Sequence, residues 1–337
     1  MKASFEIWLS RDTRLWCHET QGKGDDNILP LPSKIRKHSL VQSRNKNKVP
    51  SERCGFVNKG NTCYINALLQ SLSVLEHFWR NLYSENQVVA PLASSFLKIM
   101  SLLNSSTTPI DPSSFIKCLG RVIRKSGNKT FEMNQQQDVA EALGYVLEEL
   151  CSCSSKVADS INCRYRTSTV CSTCLEERCE EQTSSTLSVP MADNLQAAVD
   201  TFFKPEQVHN ATFCCKGSSC QRQTVLSHCS RYLLVQLKRF YVDFQGSVKK
   251  DPRQVCFAKD FLSVPASIDN VVSFQQKYQL IATINHSGSL HSGHYTACLP
   301  ITSSGGWLHC NDKVVSKVQD PLCHGSGAYL FFYELCH

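Results

Sequence analysis

The sequence predicts an α+β protein, with its helices in the first part of the chain and its strands in the second. Three observations predict it. Between Cys54 and about Leu150 apolar residues recur at helical spacing. After Cys151 the pattern changes to short alternating runs rich in β-branched and aromatic residues. No internal repeat runs through either part, so a helix-then-sheet layering is the simplest way to bury both faces.

At the start of the chain, residues 1 to about 50 show no sustained period and contain Gly22, Gly24, Pro30 and Pro32, so a flexible extension is expected there. The stretch "GFVNKGNTCYINALLQSL", Gly55 to Leu72, is a Gly/Asn-rich turn leading into a helix. Ile65, Leu68, Leu69, Leu72, Leu75, Trp79 and Leu82 form its apolar stripe. Asn61 or Thr62 is the expected N-cap, which places Cys63 in the first turn. "PLASSFLKIMSLL" and "PSSFIKCLGRVIRK" are further helices, with Pro91 and Pro112 at starts where proline is tolerated. "NQQQDVAEALGYVLEEL" is a fourth, with Val139, Leu143, Val146, Leu147 and Leu150 on one face. The strand candidates are "CRYRTSTV", "YLLVQLKRFYV", "YQLIATINHS", "HYTACLP" and "AYLFFYEL", interrupted by a short helix at "NLQAAVDTFF". Tyr232 to Leu237 is apolar enough to be buried on both faces.

Composition narrows the function. With 42% hydrophobic and 19% charged residues, the 337-residue chain reads as a soluble globular protein. No apolar run reaches the roughly 18 residues of a membrane helix, and Glu6, Arg11, Asp12 and Arg14 interrupt the start, so no membrane and an intracellular location, cytoplasm or nucleus, are expected. In a reducing compartment the 19 cysteines are metal ligands, a nucleophile or ordinary thiols rather than disulfides. Of the net charge of +7, +5 falls within residues 1–50, chiefly in the acid-free tract Ser33 to Lys48. Such a tract reads as a solvated linker or an import signal. The remainder is close to neutral, so no nucleic-acid partner is expected.

Cys63 has two readings. A small buried hydrophobe is one. The other is a nucleophile, its thiolate favoured by the positive end of the helix dipole and by a histidine. A nucleophilic cysteine needs a base and a group to orient that base. "NHSGSLHSGHYTACL" offers His294 at a strand edge, and "WLHCNDKVV" offers Asn311 and Asp312, with Asn311 17 residues further on. Taken singly, the glycines around His294 and the Asn-Asp pair also read as turns.

The order Cys, His, Asn/Asp is papain-like, and the flanking text is more specific. "GFVNKGNTCYINALLQSL", "QQQDVAEAL", "LLVQLKRF", "HSGSLHSGHY" and "WLHCNDKVV" resemble the boxes of the ubiquitin-specific proteases, the USP class of deubiquitinases, over roughly Cys54 to Leu335. The resemblance implies a papain-like fold in residues 51–337, with a thumb at about 54–150, fingers at about 160–230 and a palm at about 231–337. It implies Cys63 as nucleophile, His294 as general base and Asn311 as its orienting partner, with Asp312 assisting or substituting. Asn58 matches the side chain that helps form the oxyanion hole. Asp138 and Glu141 match acidic positions that grip the arginines before the two terminal glycines of ubiquitin. Gln137 is expected in the same cleft, and Gly293 and Tyr295 beside the diglycine passage. "HSGSL", His286 to Leu290, resembles a blocking loop, and His291 is expected to be a loop residue.

The activity so implied is hydrolysis after the terminal glycine of ubiquitin, by a monomer needing no catalytic cofactor. Its partners are ubiquitin and ubiquitinated proteins. A catalytically silent ubiquitin-binding module and a protease for another ubiquitin-like modifier are the alternatives. The family's fingers often hold a structural zinc through two C-x2-C pairs. Here Cys171 and Cys174 form the first pair, and "FCCKGSSCQ" supplies Cys215 and Cys220 as a wider second pair.

Overall fold

The computed structural model describes residues 53–84, 90–133, 135–209, 215, 219–268, 272–289, 292–301, 305–321 and 327–336. The expected N-terminal extension lies outside these residues, as do Cys214, Leu290 and His291.

The first helix, α1 (Cys63–Leu72), differs from its sequence reading. All ten of its residues are buried, Asn66, Gln70 and Ser71 included, so it is a core helix rather than an amphipathic one. Nor does it run on to Leu82. Val74 and Leu75 donate to Ser71 and Leu72, three residues back, and this tightened turn ends the helix. The apolar spacing resumes in α2 (Glu76–Ser84), which buries Phe78, Trp79 and Leu82. The reason is local: Gln70 and Ser73 at the break accept from Arg53, so side chains and backbone there are committed to a neighbouring segment.

The other helices start where their caps dictate. Proline opens α3 (Pro91–Ser105) at its first turn. The Asp111 carboxylate accepts from Ser113 N at 2.9 Å where α4 (Ser113–Lys125) begins. Asp138 caps α5 (Val139–Cys151), accepting from Ala140 N at 2.7 Å. A single turn, α6 (Ser155–Asp159), closes the helical part.

Beyond it lies a 12-stranded sheet. Its strands are β1 (Cys163–Cys171), β2 (Glu177–Ser184), β3 (Leu187–Val189), β4 (Glu206–His209), β5 (Ser219–His228), β6 (Tyr232–Leu237), β9 (Leu262–Ile268), β10 (Val272–Gly288), β11 (Gly293–Pro300), β12 (Trp307–Asn311), β13 (Val314–Val318) and β14 (Ala328–Leu335). The expected short helix forms as α7 (Leu195–Phe203), capped by Asn194. β7 (Phe240–Val242) and β8 (Val248–Lys250) make a separate hairpin. The main path runs β13-β12-β11-β10-β9-β5-β1-β2, with β14 joining β10 to β6, β3 parallel to β6, and β4 on β5.

β6 is buried on both faces, as its composition predicts. Tyr232 and Leu234 face the core of the helical part, whereas Leu233, Val235 and Leu237 face a second core under α7. α1 packs against β11, β10 and β12. That contact sets the start of α1 beside the start of β11 and the end of β12. His286, Ser287 and Gly288 belong to β10 and pair with Tyr295, His294 and Gly293. The hairpin closes through paired hydrogen bonds between Ser289 and Ser292. Among the described residues no helix is long and apolar enough to cross a membrane.

Candidate active site

The loop before α1 is built around Asn58. Its side-chain oxygen accepts from Gly60 N at 3.0 Å, Thr62 N at 3.3 Å and Thr62 Oγ1 at 3.2 Å. Thr62 holds the N-cap position, but its hydroxyl accepts from Lys59 N at 2.9 Å instead of capping the helix. Asn61 turns the chain with a φ of 54°. With its oxygen so occupied, the Asn58 amide nitrogen faces away from the loop and donates to Asp312 Oδ2 at 2.9 Å.

Asp312 therefore has a different task from its neighbour. Its second oxygen accepts from Asn66 Nδ2 at 2.7 Å, and its carbonyl accepts from Phe56 N at 2.8 Å. A Cβ on Gly55 would collide with that same carbonyl, so glycine is required for this close approach. The carboxylate thus ties the Asn58 loop and α1 to the end of β12. It leaves the imidazole to Asn311, whose Oδ1 lies 2.8 Å from His294 Nε2. An acceptor there assigns the Nε2 proton and leaves Nδ1 as the free ring nitrogen.

Cys63 lies within hydrogen-bond reach of the Tyr295 backbone N–H, one residue beyond His294. Burial is the largest influence on its thiol and pushes it above its ordinary value. The N–H groups of Tyr295, Tyr64 and Cys63 itself pull the other way, and the Asp312 charge adds to the rise. Burial thus outweighs the N–H groups at the helix terminus in setting the direction of the shift. Cys63 thus lies beside the strand that carries His294.

Across the cleft, Tyr295 is buried, with its hydroxyl accepting from Val139 N at the start of α5. Its ring lies 4.5 Å from that of His286. A Cβ on Gly293 would collide with the His286 imidazole. His286 itself is driven down to about 4 by burial and by the nearby Lys250, Arg239 and His294, so it is a neutral wall of the cleft.

Gln137 does not reach this wall; it donates to Glu132 O at 2.8 Å within its own loop. Gln136 reaches it instead, its Oε1 accepting from Gly293 N at 2.5 Å. Three consecutive glutamines offer no means of choosing between them from sequence. Asn66 also escapes the motif reading, although a polar side chain one turn after Cys63 among apolar neighbours signals it. Asp138 accepts from Ala140 N and from the Tyr329 hydroxyl, and Glu141 accepts from Asn128 Nδ2 at 2.8 Å. Burial raises both carboxyl groups above their ordinary values, and the Asp138 charge raises Glu141 further.

Far along the sheet, the sulfurs of Cys171, Cys174 and Cys215 all lie within 4.8 Å of one another. Cys171 and Cys215 are 3.4 Å apart. The N–H groups of Cys174 and Thr173 hold the Cys171 thiol down to about 7, with Cys215 and Cys174 contributing. Cys220 departs from the expected set. It pairs with Cys171 across β1 and β5, but its thiol points at the Val208 carbonyl, 3.7 Å away, and is not part of the cluster.

The fold thus brings Cys63, His294 and Asn311 together where the start of α1 meets β11 and β12. Residues 54–333 match the family model described as ubiquitin carboxyl-terminal hydrolase, and the chain belongs to that family. Among its relatives, ubiquitin carboxyl-terminal hydrolase 23 of Arabidopsis thaliana is 27% identical over 316 residues, covering 83% of this chain and 35% of the relative. Ubiquitin carboxyl-terminal hydrolase 4 of Arabidopsis thaliana is 26% identical over 322 residues, covering 79% and 85%. The SAGA Ubp8/Sgf11/Sus1/Sgf73 DUB module bound to ubiquitin aldehyde shares the fold, with a TM-score of 0.72 at 24% identity, covering 86% of this chain and 71% of that one. The chain spans 35% and 29% of the length of the first relatives it matches.

Proposed function

We propose that this chain is a thiol-dependent deubiquitinase that cleaves the isopeptide or peptide bond after the terminal glycine of ubiquitin. The observation that carries it is the His294 Nε2 to Asn311 Oδ1 hydrogen bond at 2.8 Å, on the strand whose Tyr295 N–H meets Cys63. In this reading the helical residues about 54–150 act as thumb, about 160–230 as fingers and about 231–337 as palm.

Chemistry starts with transfer of the Cys63 proton to His294 Nδ1. Asn311 keeps the ring oriented, its Oδ1 accepting a hydrogen bond from Nε2–H throughout. The thiolate attacks the glycine carbonyl carbon, and the C–O π electrons move onto oxygen. The Cys63 N–H and the Asn58 amide hydrogen not given to Asp312 stabilise that oxyanion. Collapse expels the lysine amine, which takes its proton from His294. His294 then removes a proton from water, which attacks the thioester. The ubiquitin carboxylate leaves and Cys63 regains its proton. Asp138 and Glu141 supply negative charge for the arginines of the ubiquitin tail, while Gly293 and Tyr295 border the narrow passage.

Cys171, Cys174 and Cys215 supply three of the four donors of a tetrahedral structural zinc. Tetrahedral Zn–S bonds of about 2.3 Å separate sulfurs by about 3.8 Å, and the thiols already lie within 4.8 Å of one another. Such an ion would pin the turn between β1 and β2 and has no part in the hydrolysis. Metal analysis of the purified protein should find zinc stoichiometric with the chain and lost in Cys174→Ser. A folded protein without zinc would remove it. An intracellular location agrees with thiols such as Cys163, Cys179 and Cys310.

The test of the activity is hydrolysis of ubiquitin carrying a C-terminal fluorogenic amide, with Cys63→Ala beside the wild type. Release by the wild type alone supports the reading. Binding without release would make the chain a silent ubiquitin-binding module, and neither binding nor release would point to another modifier.

A further inference from the structure

Tyr329, on β14, is 1% exposed and packs edge-to-face on Phe240 at 5.5 Å. A phenylalanine would fill the same space without burying a hydroxyl, whose desolvation is unfavourable unless hydrogen bonds offset it. Two bonds do so. The hydroxyl donates to Asp138 Oδ2 at 2.8 Å and accepts from Gln236 Nε2 at 2.8 Å. Gln236 on β6 is oriented in turn, because its Oε1 accepts from the Ser188 hydroxyl on β3 at 3.0 Å.

The chain of bonds has a direction. Ser188 donates to the Gln236 oxygen, which turns the Gln236 amide nitrogen to Tyr329. With an amide donor on one side, the single Tyr329 proton is committed to Asp138. Asp138 Oδ1 is held separately by Ala140 N at 2.7 Å. Its two oxygens are therefore fixed by different elements, one by α5 and the other by the sheet. Nothing in the catalytic steps uses Tyr329 or Gln236.

We propose that Tyr329, directed by Gln236, is a positioning residue that sets the Asp138 carboxylate for the cationic tail of ubiquitin. This rests on the reading of Asp138 as part of the tail grip. A carboxylate free to rotate about its cap would meet the arginine side chains in several poses, and part of the binding energy would go into ordering it. Held by the sheet, it presents one pose.

A double-mutant cycle across the interface tests this. Tyr329→Phe and Gln236→Glu are each compared with wild type on two fluorogenic substrates: ubiquitin amide, and the same ubiquitin with its tail arginines replaced by alanine. Gln236→Glu replaces the donor with an acceptor that competes for the Tyr329 proton. On ordinary ubiquitin both variants should raise KM roughly five- to thirtyfold, with a smaller effect on kcat. On the alanine-tailed ubiquitin that increase should vanish, since no cation remains to be positioned. An equal KM increase on both substrates would make Tyr329 merely structural and overturn the proposal, as would no increase on either. A wild type that treats the two ubiquitins alike would instead overturn the tail grip on which the proposal stands. Melting temperatures of both variants separate loss of fold from loss of positioning.

Discussion

At the scale of single residues, Asn311 and Asp312 sit next to each other and do different work, because they face opposite ways from the end of β12. Asn311 holds the imidazole, while Asp312 receives Asn58 and Asn66. Asn311→Ala should lower kcat by roughly 10²- to 10⁴-fold, and Asn311→Asp, which keeps the acceptor, should retain most of it. Steady-state kinetics on the ubiquitin amide checks both. The raised Cys63 thiol predicts slow alkylation by iodoacetamide in the free protein at neutral pH. Its rate should climb about tenfold per pH unit until it passes the range of an ordinary cysteine. A plateau already reached below pH 7 would instead mean a preformed thiolate–imidazolium pair. Asp138 and Glu141 have carboxyl groups raised by burial, so as pH falls they take up protons earlier than ordinary carboxylates and lose the charge proposed to hold arginine. KM for ubiquitin should therefore rise on acidification at a higher pH than an exposed acidic pair would give. A KM flat down to the range of exposed carboxylates would contradict this.

At the scale of elements, α1 is the contact on which the catalytic geometry depends. Leu68 is fully buried between the helical core and the sheet. Leu68→Ala should cost about 2–5 kcal/mol of stability, measurable by denaturant unfolding, with a fall in activity as Cys63 shifts against β11. Helical spacing makes α1 visible, and turn chemistry narrows its cap to two residues. Its end is not visible, because Arg53 determines that break by reaching Gln70 and Ser73 from outside the helix. The same limit explains the hairpin. The strand expected to end at Ser287 runs on to Gly288, which pairs with Gly293, while Tyr295 packs on His286. Motif matching picks out Cys63, His294 and Asn311, which the fold sets together where α1 meets β11 and β12. It cannot rank Gln136 against Gln137, nor separate Cys220 from the sulfur cluster, since both depend on rotamers that only the assembled neighbours select.

At the scale of the whole molecule, one sheet runs from β11 and β12, which carry His294 and Asn311, through β10, β9 and β5 to the cysteine cluster at the end of β1. The parallel join of β5 to β9 is a single register position, Leu226 to Ala266, and the two parts are otherwise held by the core under α7. Chelating the proposed zinc should raise hydrogen exchange in β1, β2 and β5 more than in β11 and β12. Exchange rising equally throughout would show the sheet to be one cooperative unit. The clash that excludes a side chain at Gly293 has a consequence for how such a chain can change over time. Positions 286 and 293 share one volume, so neither is free to drift alone. A methyl at 293 could be accepted only after the imidazole at 286 had shrunk, and that first step would leave a void against Phe240 and Tyr295. The pair is a ratchet in sequence space: its two sites change together or both stay as they are.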